Sequence, residues 1–138
     1  MILDTSALLA ILQDEPERRR FNEAIQSAAV VRIAAPTYVE ASVVIEARYG
    51  AEGLRRLDRL LEVAAVEVTA FDADQAKIAR DAYSRYGKGR HPAALNLGDC
   101  FSYALARALG EPLIFKGDDF SRTDVGTAVP ARLSTSDE

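Results

Sequence analysis

Five acidic residues follow or begin apolar segments, at places where a fold could gather them into one site. They are Asp4, Glu40, Asp99, Asp118 and Asp119. Carboxylates that lie close together repel one another and raise one another's pKa unless a cation lies between them. Ligand sets made only of oxygen select hard cations such as Mg²⁺ or Mn²⁺. The acids therefore predict a divalent metal site, provided that the fold brings them together.

Each acid also has a purely structural explanation. Asp4 could cap the helix that follows it, a contribution of roughly 1 kcal/mol. Glu40 lies three residues after Thr37, and Asp99 lies three residues after Asn96, which is the spacing of a capping box. The acidic pair in KGDDF could be an ordinary turn. Taken singly, each structural explanation is at least as good as the metal site.

The segments around these acids predict an α/β fold. Strand-like segments cover residues 1–4, 30–36, 66–71 and 112–115, and helical segments cover residues 5–12, 18–28, 37–49, 51–64, 72–86 and 99–109. We expect Gly50 to end one helix, and Val39, Val43 and Ala47 to lie on one stripe of it. Alternating strands and helices indicate a sandwich around a mostly parallel sheet of four to five strands.

A parallel sheet would place the acids at one edge. Ligands of such sheets bind beyond the carboxyl ends of the strands. Asp4, Glu40 and the acidic pair each follow a predicted strand. Asp99 begins a helix that leads into the fourth strand and runs antiparallel to it, so the helix starts at the same edge. We therefore expect acids from opposite ends of the chain to meet at one cleft.

Composition excludes several classes of protein. The chain has 138 residues, enough for one domain with a real core. Its net charge of −4 argues against broad, unspecific nucleic-acid binding, although a bound cation would reverse the field of an acidic site. A single cysteine, Cys100, permits no disulfide framework within one chain, and we expect it to be buried. Without a basic leader or a run of ~20 apolar residues, we expect a soluble, cytoplasmic protein with no membrane contact.

Four stretches resemble the PIN-domain ribonucleases, in order and at typical spacing over nearly the whole chain. They are LDTSAL, YVEAS, LNLGDCFSYALA and PLIFKGDDFSRTDV, and they look most like the VapC-type toxins of type II toxin–antitoxin pairs. The resemblance implies a PIN-like α/β/α sandwich. We expect it to fill residues 1–133 and to leave a polar tail at residues 134–138.

The resemblance also implies roles for individual residues. The first, second and third acids of the family map onto Asp4, Glu40 and Asp99, which would bind the metal and act in catalysis. The small hydroxyl after the first acid maps onto Thr5 or Ser6, in a supporting role.

The fourth acid departs from the family pattern. Many members carry an aspartate at the position that is Gly117 here. Its role falls to Asp118 or Asp119, both of which we include as metal ligands. We favour Asp119 as the catalytic residue because it belongs to the DF pair.

The activity implied by the resemblance is that of an endoribonuclease dependent on Mg²⁺ or Mn²⁺. Such an enzyme would cleave RNA of the tRNA or rRNA class with metal-activated water, form a homodimer and be inhibited by a VapB-type antitoxin. Cations near the predicted cleft could contact RNA phosphates, although a solvated surface explains them equally well. These cations are Lys88, Arg90, Lys116 and Arg122.

Two other functions compete with this one. An aspartate-nucleophile phosphohydrolase also carries an acid after its first strand, but it needs a second aspartate two residues later, where this chain has Ser6. A non-catalytic, PIN-like binding module would use the acids only to cap helices.

Overall fold

All strands of the computed structural model, which describes residues 1–128, run parallel in one sheet. They are β1 (Ile2–Leu3), β2 (Arg32–Ala34), β3 (Glu67–Thr69) and β4 (Leu113–Ile114), in the order β3-β2-β1-β4. The predicted fold class is confirmed, with a sheet of four strands. The predicted tail at residues 134–138, and the last residues of the predicted domain, lie outside the described range.

Helices connect the strands and continue beyond them. They are α1 (Thr5–Leu12), α2 (Arg18–Ser27), α3 (Ala35–Val63), α4 (Ala73–Tyr86) and α5 (Leu97–Leu109), and a 3₁₀ turn follows at Phe120–Arg122. Within residues 1–128, none of these helices combines the length and apolarity needed to cross a bilayer.

Alternate strand residues build the two faces of the sandwich. In β1, Leu3 packs in a core layer with α1, α2 and α3, whereas Ile2 packs in a second layer with α4 and α5. Ile114 and Leu113 of β4 divide between the layers in the same way, because successive side chains of a strand point to opposite faces. Cys100 is buried in the second layer, and burial raises the pKa of its thiol to about 11.

The strands are shorter than the sequence predicts. In the segment 30–36, the ladder covers only Arg32–Ala34, and α3 begins directly afterwards. Pro36 accounts for this limit, because proline has no N–H to donate to a ladder and suits the first turn of a helix. β-branched composition therefore marks the strand but not its ends.

Gly50 interrupts α3, as predicted. Its backbone has φ 66° and ψ −156°, so two helical segments meet there at a kink. A positive φ is easily adopted by glycine and disfavoured for other residues.

The buried face of α3 differs from the stripe that valine spacing suggests. The stripe of Val39, Val43 and Ala47 faces solvent, with Val39 57% and Val43 62% exposed. In the part of α3 before Gly50, the buried residues are Thr37, Ala41 and Ile45 instead. Both stripes have helical spacing. The buried stripe is hard to recognise in the sequence because it includes the polar Thr37, whose hydroxyl has a buried partner, the Ser102 hydroxyl, at 3.3 Å.

Two substitutions on α3 test which face is buried. Ile45→Ala should lower the free energy of unfolding by about 2–5 kcal/mol, because Ile45 is 1% exposed and truncation leaves a cavity. Val43→Ala should change it by less than about 0.5 kcal/mol. Urea unfolding followed by circular dichroism measures both values, and a larger loss at Val43 would contradict this assignment.

Candidate functional site

The predicted acids lie at the carboxyl edge of the sheet. Asp4 directly follows β1, Glu40 lies in the helix that follows β2, and the acidic pair follows β4. Asp99 lies in the first turn of α5, which packs against the same strands. The parallel arrangement therefore gives every predicted acid a position at or near one end of the sheet.

Asp4 is a buried carboxylate with a hydrogen bond to each oxygen. It caps α1, since Oδ2 accepts from the backbone N–H of Ser6 at 3.1 Å and from the Ser6 hydroxyl at 2.6 Å. Oδ1 accepts from the Ser102 hydroxyl at 2.6 Å. Burial raises the pKa of Asp4, and the hydrogen bonds from Ser102 and Ser6 oppose that rise. The capping explanation is correct, but it accounts for only one of the two oxygens.

The two hydroxyls on Asp4 are themselves held by other segments. The backbone N–H of Lys116, just after β4, donates to the Ser6 hydroxyl at 2.9 Å. Behind Ser102, the Thr37 hydroxyl of α3 lies 3.3 Å away. The role of Ser102 was not predicted, although a hydroxyl one turn after Asp99 in a largely apolar helix was a signal.

Glu40 does not form a capping box with Thr37, so the structural explanation suggested by their spacing is wrong. The N-cap of α3 is Ala34, with no side-chain cap, because the helix begins before Thr37. Glu40 Oε1 instead accepts a hydrogen bond from the Thr5 hydroxyl of α1 at 2.6 Å. The carboxylate of Glu40 is therefore oriented by α1, which is remote in the sequence but adjacent in space, rather than by the start of its own helix.

Gly98 makes room for the Glu40 carboxylate. A Cβ atom built on Gly98 would lie 2.0 Å from Glu40 Oε2, far inside any allowed contact. The carboxylate thus lies directly against the first turn of α5, next to Asp99. The role of this glycine was not predicted, and its position in the first turn of a helix was the available signal.

Asp99 connects the acids electrostatically. It forms a capping box with Asn96, in which the two side chain–backbone bonds are 2.8 and 3.0 Å long. Burial, together with the negative charges of Asp4, Asp119 and Glu40, raises the pKa of Asp99 to about 7. The capping explanation is correct here too, but the hydrogen bond from the Asn96 backbone lowers the pKa of Asp99 and so does not explain the rise.

The acidic pair after β4 is divided in space. Asp119 is close enough for its charge to raise the pKa of Asp99. Asp118 instead has a largely exposed carboxylate, which lies 3.9 Å from the guanidinium of Arg122. The arrangement favours Asp119 over Asp118 as the fourth acid.

The donor chemistry of this site fits a hard divalent cation. Asp4, Glu40, Asp99 and Asp119 offer only oxygen ligands, and within residues 1–128 no ion pair neutralises any of them. The side chains are not yet arranged as a metal site. Within residues 1–128, no three His, Cys, Asp or Glu side chains lie close enough together to hold one ion. The acids are within electrostatic reach of one another, and binding a cation requires their side chains to close in.

The predicted RNA-contacting cations differ in their surroundings. Lys116 Nζ lies 2.6 Å from Glu15 and 3.7 Å from Glu17, so its charge is balanced. Arg122 faces Asp118, as described above. Lys88 and Arg90 are exposed in the loop between α4 and α5 that ends at the Asn96 cap, with the Arg90 guanidinium 6.0 Å from the centre of the Tyr83 ring. No acidic partner balances either of them among residues 1–128, so they are better placed than Lys116 to meet a ligand.

Asp99 should make stability depend on pH. The ordinary pKa of an aspartate is 3.8, and the pKa of Asp99 in the folded protein is about 7. At pH values between these two, Asp99 keeps a proton in the folded protein that it has released in the unfolded chain. Stability therefore falls as pH rises, by about 1.4 kcal/mol per pH unit from this group, and levels off above about pH 7. We expect Asp99→Asn, which keeps an acceptor for the cap, to reduce this slope.

Urea unfolding in EDTA at intervals from about pH 5 to pH 8 measures the slope. Burial of Asp4 contributes with the same sign, so the difference between variant and wild type is the quantity to compare. Parallel slopes in the two proteins would contradict the raised pKa of Asp99.

Comparison with known proteins identifies the family. The PIN domain matches residues 1–126. Ribonuclease VapC30 of Mycobacterium tuberculosis is 53% identical over 127 residues, which cover 92% of this chain and 97% of that protein.

Solved structures share the fold. The crystal structure of Mycobacterium tuberculosis VapC20, a sarcin-ricin-loop-cleaving toxin, matches with a TM-score of 0.75 and 19% identity, over 94% of this chain and 98% of that one. VapBC2 from Rickettsia felis, bound to a DNA fragment from its promoter, matches with a TM-score of 0.71 and 15% identity, over 91% and 94%. Because the family match and the 53% identity each span nearly the whole chain, this protein belongs to the PIN-domain family and, within it, to the VapC ribonucleases.

Proposed function

We propose that the chain is a metal-dependent endoribonuclease that acts as the toxin of a toxin–antitoxin pair. The observation that carries this proposal is the position of Asp4, Glu40, Asp99 and Asp119 at the carboxyl edge of the parallel sheet. Burial is the largest cause of the raised pKa of Asp99, and the negative charges of the other three acids add to it. Perturbed acids gathered at the ligand-binding edge of a parallel sheet are typical of a catalytic site.

The residues that would hold Mg²⁺ or Mn²⁺ are Asp4, Glu40 and Asp99, with Asp119 as the fourth acid. A bound cation supplies Lewis-acid chemistry, neutralising charge on the scissile phosphate and making water more acidic. The chain's own hydroxyls orient two of these ligands, because Ser6 holds Asp4 and Thr5 holds Glu40.

The proposed substrate is RNA of the tRNA or rRNA class. VapC20, which shares the fold, is a toxin that cleaves the sarcin-ricin loop. The exposed cations Lys88 and Arg90 precede the turn that carries Asp99, and they could contact RNA phosphates beside the acids.

The proposed partners are a VapB-type antitoxin and a second copy of the chain, in the cytoplasm. The VapBC2 structure from Rickettsia felis supports an antitoxin partner, because a chain of that structure shares its fold with 91% of this chain. Homodimerisation follows from the family resemblance and remains a proposal.

The competing functions have specific weaknesses. A phosphohydrolase of the aspartate-nucleophile class would need a carboxylate at position 6, where the Ser6 hydroxyl donates to Asp4 instead. A non-catalytic binding module explains the caps formed by Asp4 and Asp99 but gives no reason for the position of Glu40, which caps nothing.

RNA cleavage tests the proposal directly. With Mg²⁺ and a labelled structured RNA, Asp4→Asn and Asp99→Asn should each lower the cleavage rate by at least about 100-fold, because each removes a charged ligand. Asp81→Asn is the matched control, since Asp81 is an exposed aspartate paired with Arg85 on α4. Undiminished cleavage in excess EDTA would contradict metal dependence. Absence of both cleavage and Mn²⁺ binding would favour the binding module.

Gly98→Ala tests whether the position of Glu40 matters. The added Cβ would overlap Glu40 Oε2, and the flexible carboxylate should swing away from the Thr5 hydroxyl at little cost in stability. We expect a rate loss similar to that of Glu40→Gln, with the free energy of unfolding changed by less than about 1 kcal/mol.

Gly126→Ala is the control for this substitution, because a Cβ there would meet its nearest neighbour at 3.9 Å. It should retain wild-type cleavage. A fully active Gly98→Ala enzyme would mean that the close approach of Glu40 to α5 has no bearing on catalysis.

A further inference from the structure

Ser102 holds the oxygen of Asp4 that helix capping does not use. Its side chain is fully buried in α5, and its hydroxyl lies 2.6 Å from Asp4 Oδ1. Capping of α1 involves only Oδ2, through Ser6. The bond from Ser102 is therefore not part of the helix cap, and hydrogen bonds at both oxygens restrain rotation of the carboxylate about its last torsion.

Thr37 supplies the second part of this arrangement. A serine hydroxyl has one proton, and Ser102 donates it to Asp4 Oδ1. The 3.3 Å contact between Thr37 and Ser102 must then have Thr37 as its donor. The result is a buried relay from Thr37 through Ser102 to Asp4 that joins α3, α5 and the end of β1.

The same relay fixes two acids relative to each other. Ser102 lies one helical turn after Asp99, so α5 carries both a proposed ligand and the group that orients Asp4. We propose that Ser102 and Thr37 are positioning residues, which set the orientation of the Asp4 carboxylate for cation binding. This inference rests on the proposed function.

Mn²⁺ affinity and cleavage kinetics test the pair. Ser102→Ala should weaken Mn²⁺ binding in calorimetry by about 10–100-fold, the usual effect of removing a hydrogen-bond partner of a metal ligand. It should lower kcat to a similar extent and leave KM for RNA within about twofold, because Ser102 is buried and cannot contact the substrate.

A second set of variants keeps the test informative if Ser102→Ala does not fold. Thr37→Val preserves shape but removes the donor, so it should weaken Mn²⁺ binding in the same direction, whereas Thr37→Ser should restore it. Ser42→Ala is the matched control on α3, since the Ser42 hydroxyl donates to the Tyr38 carbonyl of its own helix, and it should behave as wild type.

Unfolding of the metal-free protein separates this inference from the function beneath it. If Ser102 acts through Asp4, the losses in stability from Ser102→Ala and Asp4→Asn should be non-additive in urea, and additive losses would overturn the inference. Wild-type Mn²⁺ affinity and kcat in both Ser102→Ala and Thr37→Val would overturn the inference alone. Absence of Mn²⁺ binding by the wild type would overturn the proposed metal-dependent function, and the role in cation binding with it.

Discussion

Burial of the Asp4 carboxylate is the constraint that organises this end of the molecule. β1 lies between β2 and β4, so a charge at its end is surrounded by the sheet and its covering helices. A buried carboxylate is costly unless donors satisfy it. Ser6 and Ser102 provide these donors, and each is in turn tied to another segment, at Lys116 and Thr37. Satisfying one acid therefore fixes α1, α3, α5 and the chain after β4 together.

The sheet can do this with very short strands because both of its faces are covered. β1 and β4 have two residues each, and each strand supplies one side chain to either core layer. Such short ladders contribute few hydrogen bonds, so packing of the helices must hold the strands in register. The acids consequently start from rigid elements rather than from long loops, which is what precise placement of ligands requires.

Local patterns predicted the fold class and the edge at which the acids lie, because alternation of strands and helices is visible in the sequence. They also predicted the caps at Asp4 and Asp99, which depend on neighbours within three residues. The partners of Glu40 could not be predicted in this way. Its contact with Thr5 spans 35 positions, and the space at Gly98 exists only once α5 has packed against α3. The buried face of α3 was missed for a related reason, since the partner of Thr37 lies 65 positions away.

The structural role of each acid can be separated from its functional role by the hydrogen-bond donors that it satisfies in the fold. Asp4 and Asp99 each satisfy backbone donors at a helix start, so their presence alone would be ordinary in any α/β protein. Among residues 1–128, Glu40 accepts a hydrogen bond from a side chain, the Thr5 hydroxyl, and from no backbone N–H, and Gly98 leaves the space that its carboxylate occupies beside Asp99. Its charge there raises the pKa of Asp99 and so opposes ionisation of the cluster. The hydrogen bond from Thr5 does not remove this repulsion between the acids. A cation bound among them would explain the arrangement, since it converts the repulsion into attraction.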